Sequence, residues 1–168
     1  MSFRKITAEE WQLNPFEQIG RQWMLVAAEK EGRVNAMTAS WGGVGVLWNK
    51  NVAFIFLRRS RFTKTLVDAA DTFSLTFFDR PRYDGMLAYM GKASGRNEDK
   101  IAAAGLDVVH EGNTPYFAQA NTVLLCRKLS RHPFAAENFI DPSIEKTWYA
   151  DGDYHDLYVA EITGILEA

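Results

Sequence analysis

The chain has 168 residues, 47% of them hydrophobic, and a formal net charge of −2. This length predicts one domain, residues 1–168, that is large enough to bury a substantial core. The charge lacks the basic excess typical of nucleic-acid-binding proteins. No apolar run approaches the roughly 20 residues of a membrane span, and the N-terminus lacks an apolar signal region. We therefore expect a cytoplasmic domain that has neither nucleic acid nor membrane as a partner.

The predicted elements, in chain order, are mostly short strands. A capping-box pattern at residues 7–10 predicts a short N-terminal helix. Two hairpins are predicted, one with strands 23–28 and 34–40 and one with strands 44–47 and 52–57. Further strands are predicted at 72–78, 106–109, 121–129 and 157–166, with helices at 62–70, 83–89 and 98–104. The two early hairpins favour an antiparallel β-barrel with flanking helices over a doubly wound parallel sheet.

An arginine-rich loop follows the strand at 52–57, which is apolar at every position and is predicted to be buried on both faces. The loop contains Arg58, Ser60 and Arg61, and Ser60 is predicted to cap the helix at 62–70. The first turn of a helix presents unpaired N–H groups, and guanidinium groups bind phosphate oxygens bidentately. The loop therefore predicts a phosphate site, although a capped helix with solvated arginines explains the same pattern.

Residues 35–43 combine small side chains with Gly42 and Gly43 near the end of a predicted strand. Glycine allows a backbone to approach a flat ligand closely, but a β-bulge explains these glycines equally well. The single Cys126 lies in an apolar run and is predicted to be a buried, inert thiol. The scattered histidines and the absence of a complete G-x-G-x-x-G sequence argue against a metal site and a Rossmann site.

Taken in order, several segments resemble the flavin reductase-like family of FMN-binding split β-barrels, which includes flavoredoxin. They are residues 35–43, 58–63, 73–78, 89–91, 94–96 with 99–100, and 155–162. The resemblance covers most of the chain and implies a mainly β, Greek-key-like split barrel with a few flanking helices. It also implies FMN as cofactor, NADH or NADPH as reductant, and a homodimer with the flavin near its interface.

The resemblance places the FMN phosphate on the arginine loop and the ring against residues 38–41. The implied cofactor-binding residues are Met37, Thr38, Ala39, Ser40, Trp41, Arg58, Ser60, Arg61, Phe62, Thr63, Ser94, Gly95 and Lys100. Ser94, Gly95 and Lys100 would close the site, with cations near the ring. In the alternative interpretation, Asn97 caps the helix at 98–104 and the neighbouring charges are solvated. The segment at 132–150 is left open as a lid or a dimer contact.

His155 is the one candidate catalytic residue. The resemblance implies that it lies near the flavin and the nicotinamide, where an imidazole with an ordinary pKa near 6.5 offers a hydrogen bond or a positive charge. A structural hydrogen-bonding role is the alternative. Because the cofactors carry the hydride chemistry, the protein is expected to contribute mainly positioning.

Two function classes remain open after the sequence is considered. One is an NAD(P)H-dependent flavin reductase, in which FMN is either a prosthetic group or a released substrate. The other is an FMN-containing electron-transfer protein that does not use NAD(P)H. The sequence does not distinguish NADH from NADPH, and it does not identify the acceptor, which is either a protein or a partner oxygenase.

Overall fold

The computed structural model describes residues 2–168, most of which lie in ten strands and five helices. The strands are β1 (Arg4–Ile6), β2 (Met24–Lys30), β3 (Arg33–Ala39), β4 (Gly42–Leu47), β5 (Lys50–Arg58), β6 (Thr72–Phe77), β7 (Val108–Glu111), β8 (Thr114–Phe117), β9 (Thr122–Pro133) and β10 (His155–Glu167). The helices are α1 (Pro15–Gly20), α2 (Phe62–Ala69), α3 (Arg80–Lys92), α4 (Lys100–Ala103) and α5 (Pro142–Trp148). Among the described residues, no helix has the length and apolar character that crossing a membrane requires.

Eight strands form one antiparallel sheet in the order β3-β2-β6-β9-β10-β5-β4, with β1 paired to β10. The edge strands β3 and β4 follow each other in the chain and are connected by Ser40 and Trp41. Within residues 2–168 these two strands are not hydrogen-bonded to each other, so the curled sheet is open at this connection. The predicted mainly β split barrel is therefore confirmed, and the opening lies where the sequence predicted a ligand.

The hydrophobic core has two parts because the central strands are buried on both faces. Along β2, Met24 and Val26 point into the barrel, while Leu25 and Ala27 pack under the outer layer. That outer layer consists of α3, α4 and the β7–β8 hairpin. Burial of this apolar area stabilises the sheet at roughly 25 cal/mol per Å². A strand that is buried on both faces, as β2 is, shows no alternation of apolar and polar residues.

The prediction that β5 is buried on both faces is wrong in part. Ala53, Ile55 and Leu57 are buried inside the barrel, but Phe54 and Phe56 on the other face are only partly buried. Both hairpin predictions are confirmed, including the pairing of β4 with β5. A Cβ on Gly42 would lie 2.8 Å from the Phe54 carbonyl oxygen, so this glycine allows close approach of the neighbouring strand.

The predicted N-terminal helix at residues 7–10 is wrong. The capping-box bonds do form, since Thr7 N–H donates to a Glu10 carboxylate oxygen and Glu10 N–H donates to Thr7 Oγ1, but only a turn results. Pro15 disfavours helical geometry at Asn14, so a helix that began near Thr7 could contain only a few residues. A helix this short is marginal without packing. The first helix instead begins at Pro15, with Asn14 accepting from Phe16 N–H as its N-cap.

Two N-cap assignments in the site region, Ser60 as predicted and Asn97 in the alternative interpretation, are also wrong. Arg61, without a side-chain cap bond, is the N-cap residue of α2 in place of Ser60. Asp99 caps α4 in place of Asn97, and its carboxylate accepts from Ala102 N–H at 3.1 Å. Each cap lies one or two residues beyond the predicted position. In both cases the predicted cap residue is exposed.

Candidate functional site

A cavity of about 240 Å³ lies at the opening of the barrel, beside the connection between β3 and β4. Its lining residues are Met37, Thr38, Ala39, Ser40, Trp41, Phe56, Arg58, Arg61, Trp148 and His155. They come from β3, β5, the loop before α2, the end of α5 and the start of β10. The cavity thus combines aromatic walls with two guanidinium groups.

A larger cavity of about 550 Å³ adjoins the first one and shares Ser40, Trp41 and Phe56 with it. Its other lining residues are mostly apolar, and they are Pro15, Phe16, Ile19, Gly20, Gly42, Gly43, Val44, Phe134 and Tyr149. Mostly apolar concave surfaces with a few polar groups are typical of cofactor sites. Trp41, which is 40% exposed, stands between the two cavities.

Arg61 provides the cationic end of the smaller cavity. Its Nη1 donates to the Gly91 carbonyl at 2.8 Å, near the C-terminus of α3. Burial lowers the pKa of Arg61, and Asp153 offsets part of this effect. Arg58 and Arg59 pair with Asp151 and Asp156, whereas Arg61 forms no ion pair within the described part of the chain, residues 2–168. A half-buried guanidinium without a carboxylate partner favours binding of an anion.

Lys100 lies behind Arg61 and is almost completely buried. Its Nζ donates to the carbonyls of Met90 and Ala93, both at 3.0 Å, at the C-terminal end of α3. Cations are stabilised at the negative end of a helix dipole. Burial and, to a lesser extent, the positive charge of Arg61 lower the pKa of Lys100 to about 8. An anion bound to Arg61 would relieve this repulsion.

Arg58 and Ser60 contact the segment that precedes β10. Arg58 donates to the carbonyls of Asp153 and Trp148 at 2.7 and 2.9 Å. The Asp153 carboxylate accepts from the backbone N–H and the hydroxyl group of Ser60 at 3.1 and 2.6 Å. Both Ser60 donors, which the sequence assigned to a phosphate, are therefore already bonded to the Asp153 carboxylate. Arg61 has no such occupant.

Phe62, Thr63 and Gly95 lie together behind the cavity, outside the residues that line it. Thr63 Oγ1 accepts from Asn35 Nδ2 at 2.8 Å in a buried contact. A Cβ on Gly95 would lie 2.3 Å from Asn35 Oδ1, so glycine is required for this packing. Ser94 accepts from Arg96 N–H in the adjoining turn. These residues fix the loop that carries Arg61, and their own contact with a ligand stays a prediction.

His155 begins β10 and lines the cavity together with Thr38 and Ala39 of β3. It is 7% exposed, and its ring lies 5.2 Å from the Trp41 ring, centroid to centroid. Burial, and then the positive charge of Arg58, lower the pKa of His155 to about 4. The imidazole is therefore neutral near pH 7. His155 therefore does not supply the positive charge that was one of its two predicted roles. It can still form a hydrogen bond.

The structure thus brings eight of the predicted residues around one cavity: Met37, Thr38, Ala39, Ser40, Trp41, Arg58, Arg61 and His155. The other six, Ser60, Phe62, Thr63, Ser94, Gly95 and Lys100, do not line it. Sequence reasoning missed Phe56 and Asp153. Phe56 was assigned to the core because the whole run of residues 52–57 is apolar. The sequence carries no local signal for the role of Asp153, because its partner Ser60 lies 93 residues away.

Comparison with known proteins gives the family to which this chain belongs. The model of the flavin reductase like domain matches residues 16–168. The chain therefore belongs to the flavin reductase-like family, and the resemblance noted in the sequence is confirmed. No curated protein sequence matches the chain significantly.

Solved structures with this fold share little sequence identity with the chain. Flavoredoxin from Methanosarcina acetivorans is 19% identical with a TM-score of 0.69, and the match covers 88% of this chain and 68% of that one. An FMN-binding domain of a flavin reductases-like enzyme from Shewanella baltica is 15% identical with a TM-score of 0.71, covering 99% and 77%. An NADH:FAD oxidoreductase from Streptomyces globisporus is 15% identical with a TM-score of 0.63, covering 88% and 75%.

Proposed function

We propose that this protein binds FMN in the cavity at the barrel opening and catalyses its reduction by NADH or NADPH. The observation that carries the proposal is the half-buried Arg61 guanidinium, which faces an aromatic-walled cavity without a carboxylate partner in residues 2–168. Membership of the flavin reductase-like family supports an oxidoreductase. Structural relatives that are named as FMN-binding proteins support the choice of FMN, and a relative named as an NADH:FAD oxidoreductase supports a nicotinamide reductant.

The donor set fits the two chemically distinct ends of FMN. Arg61, together with the N–H groups at the start of α2, would hold the phosphate at the cationic end of the cavity. The strand segment from Met37 to Trp41 would lie along the ring, and Trp148 would cover it. Trp41 and Trp148 pack edge to face with ring centroids 5.0 Å apart. The indole pair would limit the access of water to the ring.

When bound, FMN supplies the hydride acceptor, and the reduced nicotinamide supplies the hydride and its electron pair. The chain contributes orientation, because a contact that positions the two rings lowers the entropic part of the barrier. Neutral His155 would donate a hydrogen bond from the cavity wall. With a pKa near 4, it would not act as a cation in this step at neutral pH. The larger cavity adjoins the FMN cavity at Trp41, so it would hold the nicotinamide next to the ring.

Replacing His155 with alanine is expected to leave FMN bound but to slow its reduction by more than tenfold. Loss of one strong transition-state contact, of at least ~1.4 kcal/mol, has this effect. Stopped-flow reduction of the flavin-loaded variant at saturating nicotinamide measures the rate. His132→Ala is the matched control, because His132 is exposed and bonded to Ser130 away from the cavity. An unchanged rate in His155→Ala would assign His155 a structural role.

We further propose that the protein is a homodimer that covers the aromatic end of the site. Three large apolar side chains that line the two cavities, Phe16, Trp41 and Trp148, are between 40% and 86% exposed. Clustered exposed apolar groups are typical of interaction surfaces. Sedimentation velocity at micromolar concentration is expected to give the mass of two chains. A single species of monomer mass would rule out this assembly.

Anaerobic mixing of the FMN-loaded protein with NADH, and separately with NADPH, tests the proposed function. Rapid loss of the oxidised flavin's visible absorbance is the expected result with at least one of them. Exposed Trp41 and Trp148 would also suit an electron-transfer protein that docks a partner at the cavity, and that is the second candidate. FMN that stays oxidised with both nucleotides, but is reduced by dithionite, would favour electron transfer.

A further inference from the structure

We propose that Tyr149 is a positioning residue for His155. In this assignment its hydroxyl group donates to His155 Nδ1 and keeps the Nε2–H of the imidazole directed into the cavity. The inference deepens the proposed function and rests on it for the catalytic consequence. The hydrogen bond itself is a property of the protein without ligand.

The geometry of the pair is well defined. Tyr149 Oη lies 2.8 Å from His155 Nδ1 in a buried contact, and the two rings meet edge to face with an interplanar angle of 85°. This is the distance expected of a normal hydrogen bond. Tyr149 is 5% exposed, so water has little access to its hydroxyl group. The contact therefore determines how both rings are oriented.

The direction of the hydrogen bond follows from the available partners. His155 Nδ1 is the acceptor nearest to the Tyr149 hydroxyl group, and no other partner is recorded for Oη anywhere in residues 2–168. If Nδ1 carried the proton, the hydroxyl hydrogen would be buried without an acceptor, which costs about 1–3 kcal/mol. Burial also raises the pKa of Tyr149, so the hydroxyl group keeps its proton. The Nε2–H tautomer satisfies both groups.

The other ring nitrogen remains available to a ligand. His155 lines the smaller cavity, and Nε2 has no hydrogen-bond partner within the described residues. Nε2 is also not among the fully enclosed polar atoms that lack a partner, so it reaches the cavity space. Its N–H can therefore donate to a bound ligand.

The charged groups around the pair keep the imidazole neutral. Arg58 lies over the Tyr149 ring, 5.3 Å from its centroid, and its positive charge disfavours a second proton on His155. The carboxylates of Asp153 and Asp156 act in the opposite direction, but burial and Arg58 outweigh them. A neutral imidazole has two tautomers, and the hydrogen bond on one nitrogen selects between them.

The fold presents Tyr149 to His155 through a short turn after α5. Tyr149 N–H donates to the Glu145 carbonyl, and Gly152 N–H donates to the Tyr149 carbonyl, both at 2.9 Å. Gly152 has a φ of +74°, a left-handed conformation that suits glycine, and this reverses the chain so that His155 returns to the tyrosine. Tyr154 stacks on Tyr149 with ring centroids 5.1 Å apart.

The first experiment compares Tyr149→Phe with Tyr154→Phe. Both changes remove one hydroxyl group from the same stack, but Tyr154 Oη donates to Glu145 and not to His155. Two-bond ¹H–¹⁵N correlation spectra of the ligand-free full chain report which His155 nitrogen carries the proton, with His155→Ala assigning the signals. We expect protonated Nε2 and unprotonated Nδ1 in the wild type and in Tyr154→Phe, and a mixture of tautomers in Tyr149→Phe.

A protonated Nδ1 in the wild type, or an unchanged tautomer in Tyr149→Phe, would overturn the inference. These spectra need neither FMN nor nicotinamide, so they decide the role of Tyr149 even if the reduction assay fails. In the flavin-loaded protein, Tyr149→Phe is expected to slow reduction by about threefold to tenfold and to add nothing in the His155→Ala background. An equal slowing in that background would show that Tyr149 does not act through His155.

Discussion

Replacing Asp156 with asparagine is expected to lower the free energy of unfolding by about 3 kcal/mol, the low end of the range for breaking a buried ion pair. Asp156 is 3% exposed, and its carboxylate lies 3.0 Å from Lys64 Nζ and 3.1 Å from Arg59 Nε. The amide would direct a donor at one of these cations. Lys64 keeps its second partner, Asp68 at 2.7 Å, so the loss stays near the lower limit.

Urea unfolding followed by circular dichroism measures this change, and thermal unfolding should show a fall in Tm of roughly 6–12 °C. Asp71→Asn is the matched control, since it removes the same charge from an exposed carboxylate without an ion pair in residues 2–168. We expect the control to change stability by less than about 0.5 kcal/mol. Equal midpoints for the two variants would show that the network around Asp156 contributes no stability.

Replacing Arg61 with alanine is expected to weaken FMN binding by about tenfold to a hundredfold. A charge-assisted hydrogen bond to a phosphate is worth roughly 1.5–3 kcal/mol, and each 1.4 kcal/mol changes affinity tenfold. Arg61→Lys should fall between the wild type and alanine, because it keeps the charge but loses the planar fork. Fluorescence titration with FMN measures the three dissociation constants.

Arg96→Ala is the control for this comparison. The Arg96 guanidinium also lies beside the arginine loop, donating to the Ser60 carbonyl at 2.9 Å, but it does not line the cavity. We expect its affinity for FMN to stay within about threefold of the wild type. Unchanged affinity in a folded Arg61→Ala protein would place the phosphate elsewhere. An equal loss in both variants would indicate a general effect of charge.

Local patterns predicted the framework of this fold because they depend on residues close in sequence. The strand that ends at Arg58 and the helix that starts at Phe62 were both expected, and they place the arginine loop at the barrel opening. Strands β1 and β8 were missed. Strand β1 has three residues and exists through pairing with β10. Strand β8 contains Pro115, which argues against a strand but is tolerated in a two-stranded sheet.

The site was predicted less completely because its geometry depends on contacts distant in sequence. Five residues of the segment 35–43, from Met37 to Trp41, were predicted to lie at one site, and all five line the cavity. Sequence could not show that Asp153 would bind Ser60, 93 residues away. Nor could it show that Arg61, unlike Arg58 and Arg59 of the same loop, would form no ion pair within residues 2–168. Nor could it show that burial would make His155 neutral. These features arise only when β10 and the turn before it pack beside the arginine loop.

The measurement that tests the central claim most directly is a pair of titrations of the ligand-free protein, one with FMN and one with riboflavin. The two ligands share the ring and differ in the phosphate. If Arg61 and the start of α2 hold the phosphate, FMN will bind at least tenfold more tightly, a difference of ~1.4 kcal/mol or more. Equal dissociation constants for FMN and riboflavin would contradict the assignment of this cavity as an FMN site.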